Sequence, residues 1–595
     1  MKTGLLVAVL AGCGPGEEPN PPPPGGTWGA PITGGNMLLS SREGTAVIAD
    51  PDRDRLVIMD LERGALVAEL ALPNDEPGRL IEDAAGRIHV ALRRGGALLT
   101  LANGRDGAIL ARRAVCPEPR GLAHDPATDL VHVACTGGEL VSLPASGGEA
   151  VRALRLDRDL RDVVVTGPNL RVTRFRTAEI LTIDAAGNVL NREHPPAVNR
   201  LNFNSPEGRT QAVPTVAWRA IGLADGRVLV AHQRAHKGQL GTSPGGYGGG
   251  CGGGSIETAL TIAGGASTPI AVRPFVAGAL PVDVAISADG TQIAIATAGT
   301  HLVHTARTSE VLGSRDEDEC PPNMGSGFPG DPGFPDEPGF PGGRLEGDGL
   351  GAPTSIAYLP DNRLVIFYPE APALVVRPIS GESRVISIPG DFGYDAGRAL
   401  FHRQTVVGLS CASCHPEGRD DGVVWDFAGL GLRRTQSLGG GILERGPFHW
   451  VGDMRDLDQL MNDVFANRMA GGEISDTARA SLGPWLNKIP APAPSVPADT
   501  AAVERGAEVF TAAACGTCHN GAQLTNNQLV NVGTGGKFKV PSLLGIANRP
   551  PFMHNGCAPT LADRFGTCGG GDLHGVTSTL SQAELQDLVA YLESL

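Results

Sequence analysis

The chain has 595 residues, more than one hydrophobic core supports, and this length predicts two to four domains. A formal net charge of -15 and the lack of a basic run argue against nucleic acid as a partner and favour a cationic or neutral one. The 83 glycines and 47 prolines, with only 4% aromatic residues, are typical of a turn-dense β protein rather than a helical one.

The N-terminus reads MKTGLLVAVLAGCG, a basic residue and a short apolar stretch followed by small residues before Cys13. This pattern resembles a bacterial lipoprotein signal, so residues 1–13 are predicted to be a signal peptide with Cys13 as the lipidated residue. A plain secretory signal or a wrongly set start is the alternative. The lipid would anchor the protein to a membrane in the periplasm or at the surface of a Gram-negative bacterium, and the lack of Asp after Cys13 favours the outer membrane. Residues 14–43 are rich in Pro and Gly and read as a tether.

One pattern recurs between residues 44 and 390, an alternating strand, a turn and a second strand. It occurs in TAVIADPDRDRLVIMDLERGALV, RIHVALRRGGALLTLANGRDGAIL, LVHVACTGGELVSLPASGGEAV, NLRVTRFRTAEILTIDAAGNVL, RVLVAHQRAHKGQL, TQIAIATAGTHLVHTARTSEVL and RLVIFYPEAPALVVRPISGESR. Period-2 alternation at this spacing predicts seven four-stranded blades of an all-β propeller, similar by pattern to lactonase-like or YVTN-type propellers. A pair of β-sandwiches is the rival fold.

Two insertions interrupt the blades. Residues 241–254 are mostly glycine around Cys251, and residues 326–343 repeat a Gly-Phe-Pro unit. Neither can bury a core, so both are expected to be flexible loops that project from the ring, as solvated filler rather than functional parts.

The pentapeptides CASCH (411–415) and CGTCH (515–519) are the strongest motifs. Two thiols three residues apart can bond to the two vinyl groups of one haem, and the adjacent histidine then binds the iron. The sequence predicts two covalent haem c groups, attached through Cys411 and Cys414 and through Cys515 and Cys518. The two proximal iron ligands are His415 and His519.

Beyond residue 391 the pattern is helical and duplicated. Gly397 and Phe401 precede the first motif as Gly506 and Phe510 precede the second, which lets another helix cross each glycine closely. Residues 475–489 match 581–595, and 433–457 match 539–561. The duplication predicts an all-α tandem of cytochrome c modules, 391–489 and 499–595, joined by a Pro-rich linker, 490–498.

Six of the 11 cysteines remain after lipid and haem are assigned. In an oxidising exported setting an even remainder predicts three disulfides. The simplest pairing is in sequence order, with Cys116–Cys135 and Cys557–Cys568 better supported than Cys251–Cys320.

Over roughly the last 200 residues the chain resembles the bacterial di-haem cytochrome c peroxidase family, which includes the tryptophylquinone-maturing enzymes. The shared marks are the SCASCH segment, an R-x-x-S-L turn, a W-x-G after the first haem, and FKVPSL followed by PFMHNG after the second. The resemblance implies that Trp450 lies between the haems and mediates electron transfer, although an ordinary core Trp is the alternative. It places His554 near the second haem. It also leaves open a calcium ion between the haems, as in some relatives.

The chain departs from the family at the distal side of the first haem. The glutamate that helps to break peroxide has no counterpart, since residues 467–470 contain no carboxylate and the next one is Glu473. No histidine lies between His415 and His449 to act as a displaceable ligand. A tyrosine ligand is not expected, because the one tyrosine after Tyr394 is Tyr591 on the last helix.

The internal repeat places two potential iron ligands at equivalent points. Met469 follows Leu457 as His574 follows Leu561, and thioether and imidazole are the two usual sixth ligands of c-type haems. Met469 is expected to bind the first iron and His574 the second, with His449 and Met553 as substitutes. The alternative is that Met469 is a core residue and His574 a loop residue.

These features predict a di-haem c-type cytochrome that exchanges electrons with an envelope donor or acceptor protein. One alternative is a peroxidase-like oxidoreductase that reduces hydrogen peroxide. Another is a surface binding or sensor protein that acts through the propeller, where a metal site would require distant histidines to converge. These are His232, His236, His301 and His304.

Overall fold

The structure, a computed structural model, describes residues 29–201, 208–248, 254–264, 269–272, 278–313, 344–346, 349–497 and 499–595. Cys13, the start of the predicted tether, the Cys251–Cys320 pair and the insertion 326–343 lie outside these residues. Disulfides Cys116–Cys135 and Cys557–Cys568 are present, as predicted. Within the described part of the chain, no helix has the length and apolar character needed to cross a bilayer.

Seven antiparallel sheets form a seven-bladed β-propeller, which confirms the predicted fold class. Blade 1 contains β1 (Met37–Leu39), β2 (Thr45–Asp50), β3 (Arg55–Asp60) and β4 (Ala65–Ala71), and blade 2 contains β5 (Pro77–Glu82), β6 (Ile88–Leu92), β7 (Ala97–Leu101) and β8 (Ile109–Ala114). Blade 3 contains β9 (Pro119–Asp125), β10 (Leu130–Cys135), β11 (Glu139–Pro144) and β12 (Arg152–Arg155), and blade 4 contains β13 (Leu160–Thr166), β14 (Asn169–Arg174), β15 (Ile180–Ile183) and β16 (Val189–Glu193).

Blades 5 to 7 complete the ring, and blade 5 has a fifth strand. Blade 5 contains β17 (Val198–Leu201), β18 (Arg209–Gly222), β19 (Val228–His236), β20 (Ile256–Ala263) and β21 (Ile270–Val272). Blade 6 contains β22 (Pro281–Ile286), β23 (Gln292–Thr297), β24 (Leu302–Arg307) and β25 (Arg344–Glu346), and blade 7 contains β26 (Ser355–Tyr358), β27 (Leu364–Tyr368), β28 (Ala373–Arg377) and β29 (Arg384–Ser387). A short helix, α1 (Thr308–Gly313), follows β24.

The middle strands of each blade are buried on both faces because neighbouring blades pack against them. β2 is buried along its whole length, whereas the outer strand β4 alternates between exposed and half-buried residues. Blades 7 and 1 meet through an apolar cluster that includes Met37 and Phe367. Each blade is one continuous stretch of chain, so side-chain packing rather than an exchanged strand closes the ring.

The first strand, β1, lies inside the segment 14–43 that composition assigns to a tether. Residues 29–36 are buried between the propeller and the helical domain. Their carbonyls accept hydrogen bonds from the Arg79 and Arg161 guanidinium groups, at Gly35 and Thr33 respectively. Gly35 leaves no room for a side chain, since an added Cβ would lie 1.3 Å from Arg79. The composition of residues 29–36 is typical of a flexible tether, but their close packing and their buried hydrogen bonds give them a fixed structure.

The C-terminal domain contains α2 (Ala396–His402), α3 (Cys411–Cys414), α4 (Leu457–Leu460), α5 (Asp476–Asn487), α6 (Thr500–Ala512), α7 (Gln582–Glu593), and the hairpins β30 (Val424–Phe427) with β31 (Gly431–Arg434) and β32 (Leu529–Asn531) with β33 (Lys537–Lys539). In each module the first and last helices cross at the predicted glycine. An added Cβ would lie 2.7 Å from the Leu482 backbone at Gly397 and 2.0 Å from the Asp587 carbonyl at Gly506. A capping box of Ser581 and Glu584 begins α7.

The duplicated loops adopt the same local structure in both modules. Phe448 pairs with Met454 in the first module, and Phe552 pairs with Ala558 in the second. His449 and Met553, which occupy equivalent positions, both have left-handed backbones, with φ of 64° and 71°. The structure therefore supports the sequence alignment of the two modules.

Glu417 joins the first module to the propeller. It lies two residues after His415, and its carboxylate accepts bonds from three arginines of successive blades, Arg93 at 2.8 Å, Arg120 at 3.2 Å and Arg161. Burial alone would raise the pKa of Glu417, but the arginines hold it well below its usual value. A second buried group is nearby, in which Asp420 pairs with Arg176 of the propeller and Arg434 of module 1. The first haem motif is thus fixed to the centre of the ring.

Candidate haem-binding site

The first CxxCH motif is a single helical turn. Ser410 begins α3 with a capping box to Ser413, and this turn presents Cys411 and Cys414 into the cavity described below. Burial raises the pKa of Cys411 to about 12. The His415 Nδ1 atom lies 3.0 Å from the Arg419 carbonyl, which can only accept, so Nδ1 carries the proton and Nε2 is left for iron.

The second motif has an equivalent arrangement. Cys515–Thr517 forms a 3-10 turn, and the His519 Nδ1 atom donates to the Leu524 carbonyl at 3.2 Å. None of the four motif cysteines forms a disulfide, so all four are available for the thioether bonds of haem c. Both pentapeptides therefore hold a thiol pair and an imidazole as a covalent haem requires.

The two motifs line one continuous cavity whose walls come from both modules. Most of the lining is apolar, and the one carboxylate among the described lining residues is Asp453. The cationic side chains that line it are Arg433, Arg434, Arg445, Arg468, Lys539, Arg549 and Arg564. A haem carries two propionate carboxylates, so this excess of positive charge suits the cofactor.

Two of these cations, Arg549 and Lys539, donate to backbone carbonyls rather than to carboxylates. Arg549 donates to the Ser542 carbonyl, and burial followed by the nearby charge of Arg434 lowers its pKa to about 9. Lys539 donates to the Arg445 carbonyl, and burial followed by the charge of Arg445 lowers its pKa to about 8. An anion bound among them would remove this destabilisation.

The second half of the cavity is shaped for an iron between two imidazoles. The rings of His519 and His574 are 6.4 Å apart between centroids, with planes 35° apart. An iron about 2 Å from one nitrogen of each ring gives a centroid separation of about 6 Å. The His574 Nδ1 atom donates to the Gly569 carbonyl at 3.1 Å, which leaves its Nε2 free as well. The structure thus brings together the two residues that the sequence assigns to the second iron.

Met469 lines the first half of the cavity and is 6% exposed. It follows a π-helical segment, Met461–Arg468, and its N–H donates to the Val464 carbonyl at 2.8 Å. Such wide turns are frequent at functional sites. The substitute candidate His449 also lines this cavity, and the bond from its Nδ1 atom to Asp453 at 3.0 Å leaves its Nε2 atom free, so His449 stays a candidate ligand.

Trp450 lies where the two modules meet. Its indole N–H donates to the Arg434 carbonyl at 2.7 Å, and its own carbonyl accepts from the Lys539 N–H at 2.7 Å. The indole ring lies 6.3 Å from the ring of His554, which stacks on Phe538 at 3.8 Å. The indole therefore lines the same cavity as both motifs, and its role in electron transfer stays a prediction.

The propeller histidines have local partners instead. His232 bonds to Thr261 in blade 5 and His304 bonds to Thr297 in blade 6. Among the described residues no group of three or more His, Cys, Asp or Glu side chains could hold a metal ion. Neither a propeller metal site nor the calcium ion gains support from the side chains that the structure describes.

Tyr247 is a residue of the site that sequence reasoning missed. The described part of insertion 241–254 does not project into solvent, which corrects that prediction, because its backbone bonds to module 1 and Tyr247 lines the haem cavity. One signal was available, since Tyr247 is the single aromatic residue in a run of small ones.

Fold and site together define a c-type cytochrome domain that follows a seven-bladed β-propeller. Residues 503–595 match the cytochrome c family, and a domain of this family carries covalently bound haem c and transfers electrons. The family match covers the second module.

Among curated proteins, hydrazine synthase subunit gamma of Kuenenia stuttgartiensis is 39% identical over 72 residues, 12% of this chain. The match spans 20% of that relative's length.

Solved structures with similar folds include hydrazine synthase of Kuenenia stuttgartiensis, at 16% identity and a TM-score of 0.44, covering 61% of this chain and 97% of that one. The same enzyme under xenon pressure matches at 25% identity and a TM-score of 0.29, covering 31% and 81%. Virginiamycin B lyase from Staphylococcus aureus matches at 11% identity and a TM-score of 0.38, covering 57% and 92%.

Proposed function

We propose that this chain is a di-haem c-type cytochrome of the bacterial cell envelope that transfers electrons through two covalently bound haems. The observation that carries the proposal is the single cavity shared by both CxxCH motifs, in which His519 faces His574. The cations between the motifs are suited to hold the propionates of both haems. Bound haem supplies one-electron redox chemistry.

The protein's own residues orient and shield the two groups. His415 and His519 are each fixed by a bond from Nδ1 to a backbone carbonyl, which sets the tautomer and the ring orientation. Apolar side chains form most of the wall of the cavity. Trp450 lines the same cavity as both motifs and is held by its bond to the Arg434 carbonyl, which supports its proposed role as a conjugated group between the two haems.

Electron transfer is favoured over peroxide reduction by the lining of the cavity. Peroxide chemistry needs an open iron site and a distal acid-base group. In this proposal Met469 and His574 would close both irons, and the one described carboxylate that lines the cavity, Asp453, is paired with His449. Glu473, the nearest candidate in sequence, is exposed and does not line the cavity.

The propeller is proposed to support the first haem rather than to bind a ligand in its centre. The Arg161 side chain at the middle of the ring already binds Glu417 and the Thr33 carbonyl. The donor or acceptor protein in the envelope is therefore expected to dock on the cytochrome domain, with the chain anchored to the membrane through Cys13.

The test is a haem count followed by a peroxide assay on natively exported protein. The pyridine-haemochrome spectrum is expected to give two haems per chain, and one for the Cys515→Ala/Cys518→Ala variant. The half-reduced protein is expected to be unchanged by hydrogen peroxide and to show no turnover with a small electron donor. One haem in the native chain would refute the di-haem proposal, and rapid turnover would establish the peroxidase-like alternative.

A further inference from the structure

The propeller extends into the first haem site through the insertion after β19. The Leu240 N–H donates to the Asp426 carbonyl at 2.7 Å, and the Ala428 N–H donates to the Leu240 carbonyl at 2.9 Å. Leu240 thus pairs with Phe427 as a short parallel strand beside the β30–β31 hairpin. A wall of the haem cavity is therefore built from propeller residues.

The following turn holds the loop that carries Met469. The Gly245 N–H donates to the Asn467 carbonyl at 2.8 Å, and the Tyr247 N–H donates to the Arg468 carbonyl at 3.0 Å. Burial raises the pKa of the Tyr247 phenol, and the nearby Arg468 guanidinium opposes that rise. The phenol ring packs 5.7 Å from the ring of Phe427. These contacts involve the two residues just before Met469, where the chain leaves the π-helical segment.

The same insertion contacts the loop that precedes the first motif. The Ser255 N–H donates to the Tyr247 carbonyl at 3.0 Å, which closes the described ends of the insertion on each other. At Gly254 an added Cβ would lie 2.6 Å from the Val407 carbonyl and 2.4 Å from Leu409. The insertion therefore touches both the segment that leads into Cys411 and the loop that carries the candidate sixth ligand.

We propose that Tyr247 is a positioning residue for the first haem, which through Arg468 fixes the Met469 loop, so that the coordination of the first iron depends on the propeller. This inference rests on the proposed function, in which Met469 is the sixth ligand. An axial ligand must be held within about 0.5 Å by its supporting contacts. Here those contacts come from a different domain.

The experiment measures carbon monoxide binding and the reduction potential of the first haem in purified, doubly haem-loaded protein. Tyr247→Ala removes the ring and its hydroxyl, whereas Tyr247→Phe removes only the hydroxyl. Tyr358→Phe, which removes a tyrosine hydroxyl from β26 in blade 7, is the matched control. Circular dichroism and a count of two haems per chain confirm that each variant is folded.

The reduced native protein and Tyr358→Phe are expected to bind no carbon monoxide. Tyr247→Ala is expected to bind one molecule per chain, with a lower potential for the first haem because thioether ligation raises it. Tyr247→Phe keeps the packing of the ring, and it is expected to bind less than one molecule of carbon monoxide per chain. Met469→Ala is expected to match Tyr247→Ala.

Two outcomes overturn the proposal and are distinguishable. If Met469→Ala opens the first haem but both Tyr247 variants keep native binding and potential, Tyr247 does not position the ligand, and the proposed electron-transfer function stands. If Met469→Ala leaves the native spectrum unchanged, the ligand assignment within the proposed function is wrong, and the positioning role falls with it.

Discussion

The imidazole rings of His519 and His574 face each other at 6.4 Å between centroids, and each ring donates from Nδ1 to a backbone carbonyl. His519 lies directly after the second thiol pair, whereas His574 follows a glycine-rich turn. Because both Nδ1 atoms are occupied as donors, both Nε2 atoms are available as ligands. The chain itself therefore holds two imidazoles with free nitrogens close together, as the proposed iron site requires.

Replacing His574 by Ala is expected to open the second haem while leaving it attached. The thioether bonds and His519 still hold the group, so the variant keeps two haems per chain. The iron loses its sixth ligand, and half of the haem in the ferric protein changes to a high-spin spectrum. Optical and resonance Raman spectra of the oxidised protein measure this fraction.

His554→Ala is the control for that variant, because His554 also lines the cavity but stacks on Phe538 instead of facing His519. It is expected to keep both haems low-spin. A low-spin spectrum in His574→Ala together with a high-spin one in His554→Ala would show that His554, and not His574, binds the second iron.

Much of the architecture follows from local patterns, because each pattern records a local physical requirement. Alternating strands specify the blades, and Gly397 and Gly506 mark helix crossings that only a missing side chain allows. His574 could be predicted as a candidate ligand because the internal repeat places it at a position equivalent to Met469. Contacts between distant segments leave no such record, and neither the arginines around Glu417 nor Tyr247 could be assigned to the site without the fold.

The disulfide Cys557–Cys568 is expected to stabilise both the second module and its ligand. The bond closes a loop with a sequence separation of 11, which contributes about 3 kcal/mol by restricting the unfolded chain. Cys568 immediately precedes Gly569, whose carbonyl fixes His574. Cys557→Ala/Cys568→Ala should therefore lower the midpoint of urea unfolding and also allow imidazole to bind the second haem.

Cys116→Ala/Cys135→Ala serves as the matched control, since this disulfide lies in the propeller, far from the haem cavity in sequence. It should lower stability by a similar amount and leave imidazole binding at its native level. Equal imidazole binding in the two double variants would contradict a specific role for the Cys557–Cys568 bond in holding His574.

Trp450→Phe is expected to slow electron exchange between the haems. The substitution keeps an aromatic ring but removes the larger indole and its bond to the Arg434 carbonyl. The potentials of the two haems should change little, since neither proximal imidazole is touched. Flash photolysis of carbon monoxide from a half-reduced, haem-opened variant measures the exchange rate directly.

Trp425→Phe is the control, because Trp425 bonds to Thr435 within module 1. An equal loss of electron-exchange rate in both variants would argue against a specific path through Trp450.

Glu417→Gln is expected to loosen the attachment of the first haem motif to the propeller. Removing one partner of a buried ion pair costs about 3–5 kcal/mol, and here the loss leaves Arg93, Arg120 and Arg161 without their shared anion. Glu62→Gln, which removes an exposed pair with Arg363, is the control and should leave stability nearly unchanged. The measurement is urea unfolding of the haem-loaded protein at pH 7.

The effect of Glu417→Gln is expected to depend on pH. The arginines hold the pKa of Glu417 in the folded protein below its ordinary value of 4.5, against the opposing effect of burial. The carboxylate therefore contributes its full stabilisation above pH 4.5 and loses it progressively as the pH falls towards the lower folded pKa. The difference in unfolding free energy between native protein and Glu417→Gln should be constant from pH 8 to about pH 6 and should shrink below about pH 4.5. A difference that stayed constant down to pH 3 would show that the three arginines do not depend on the charge of Glu417.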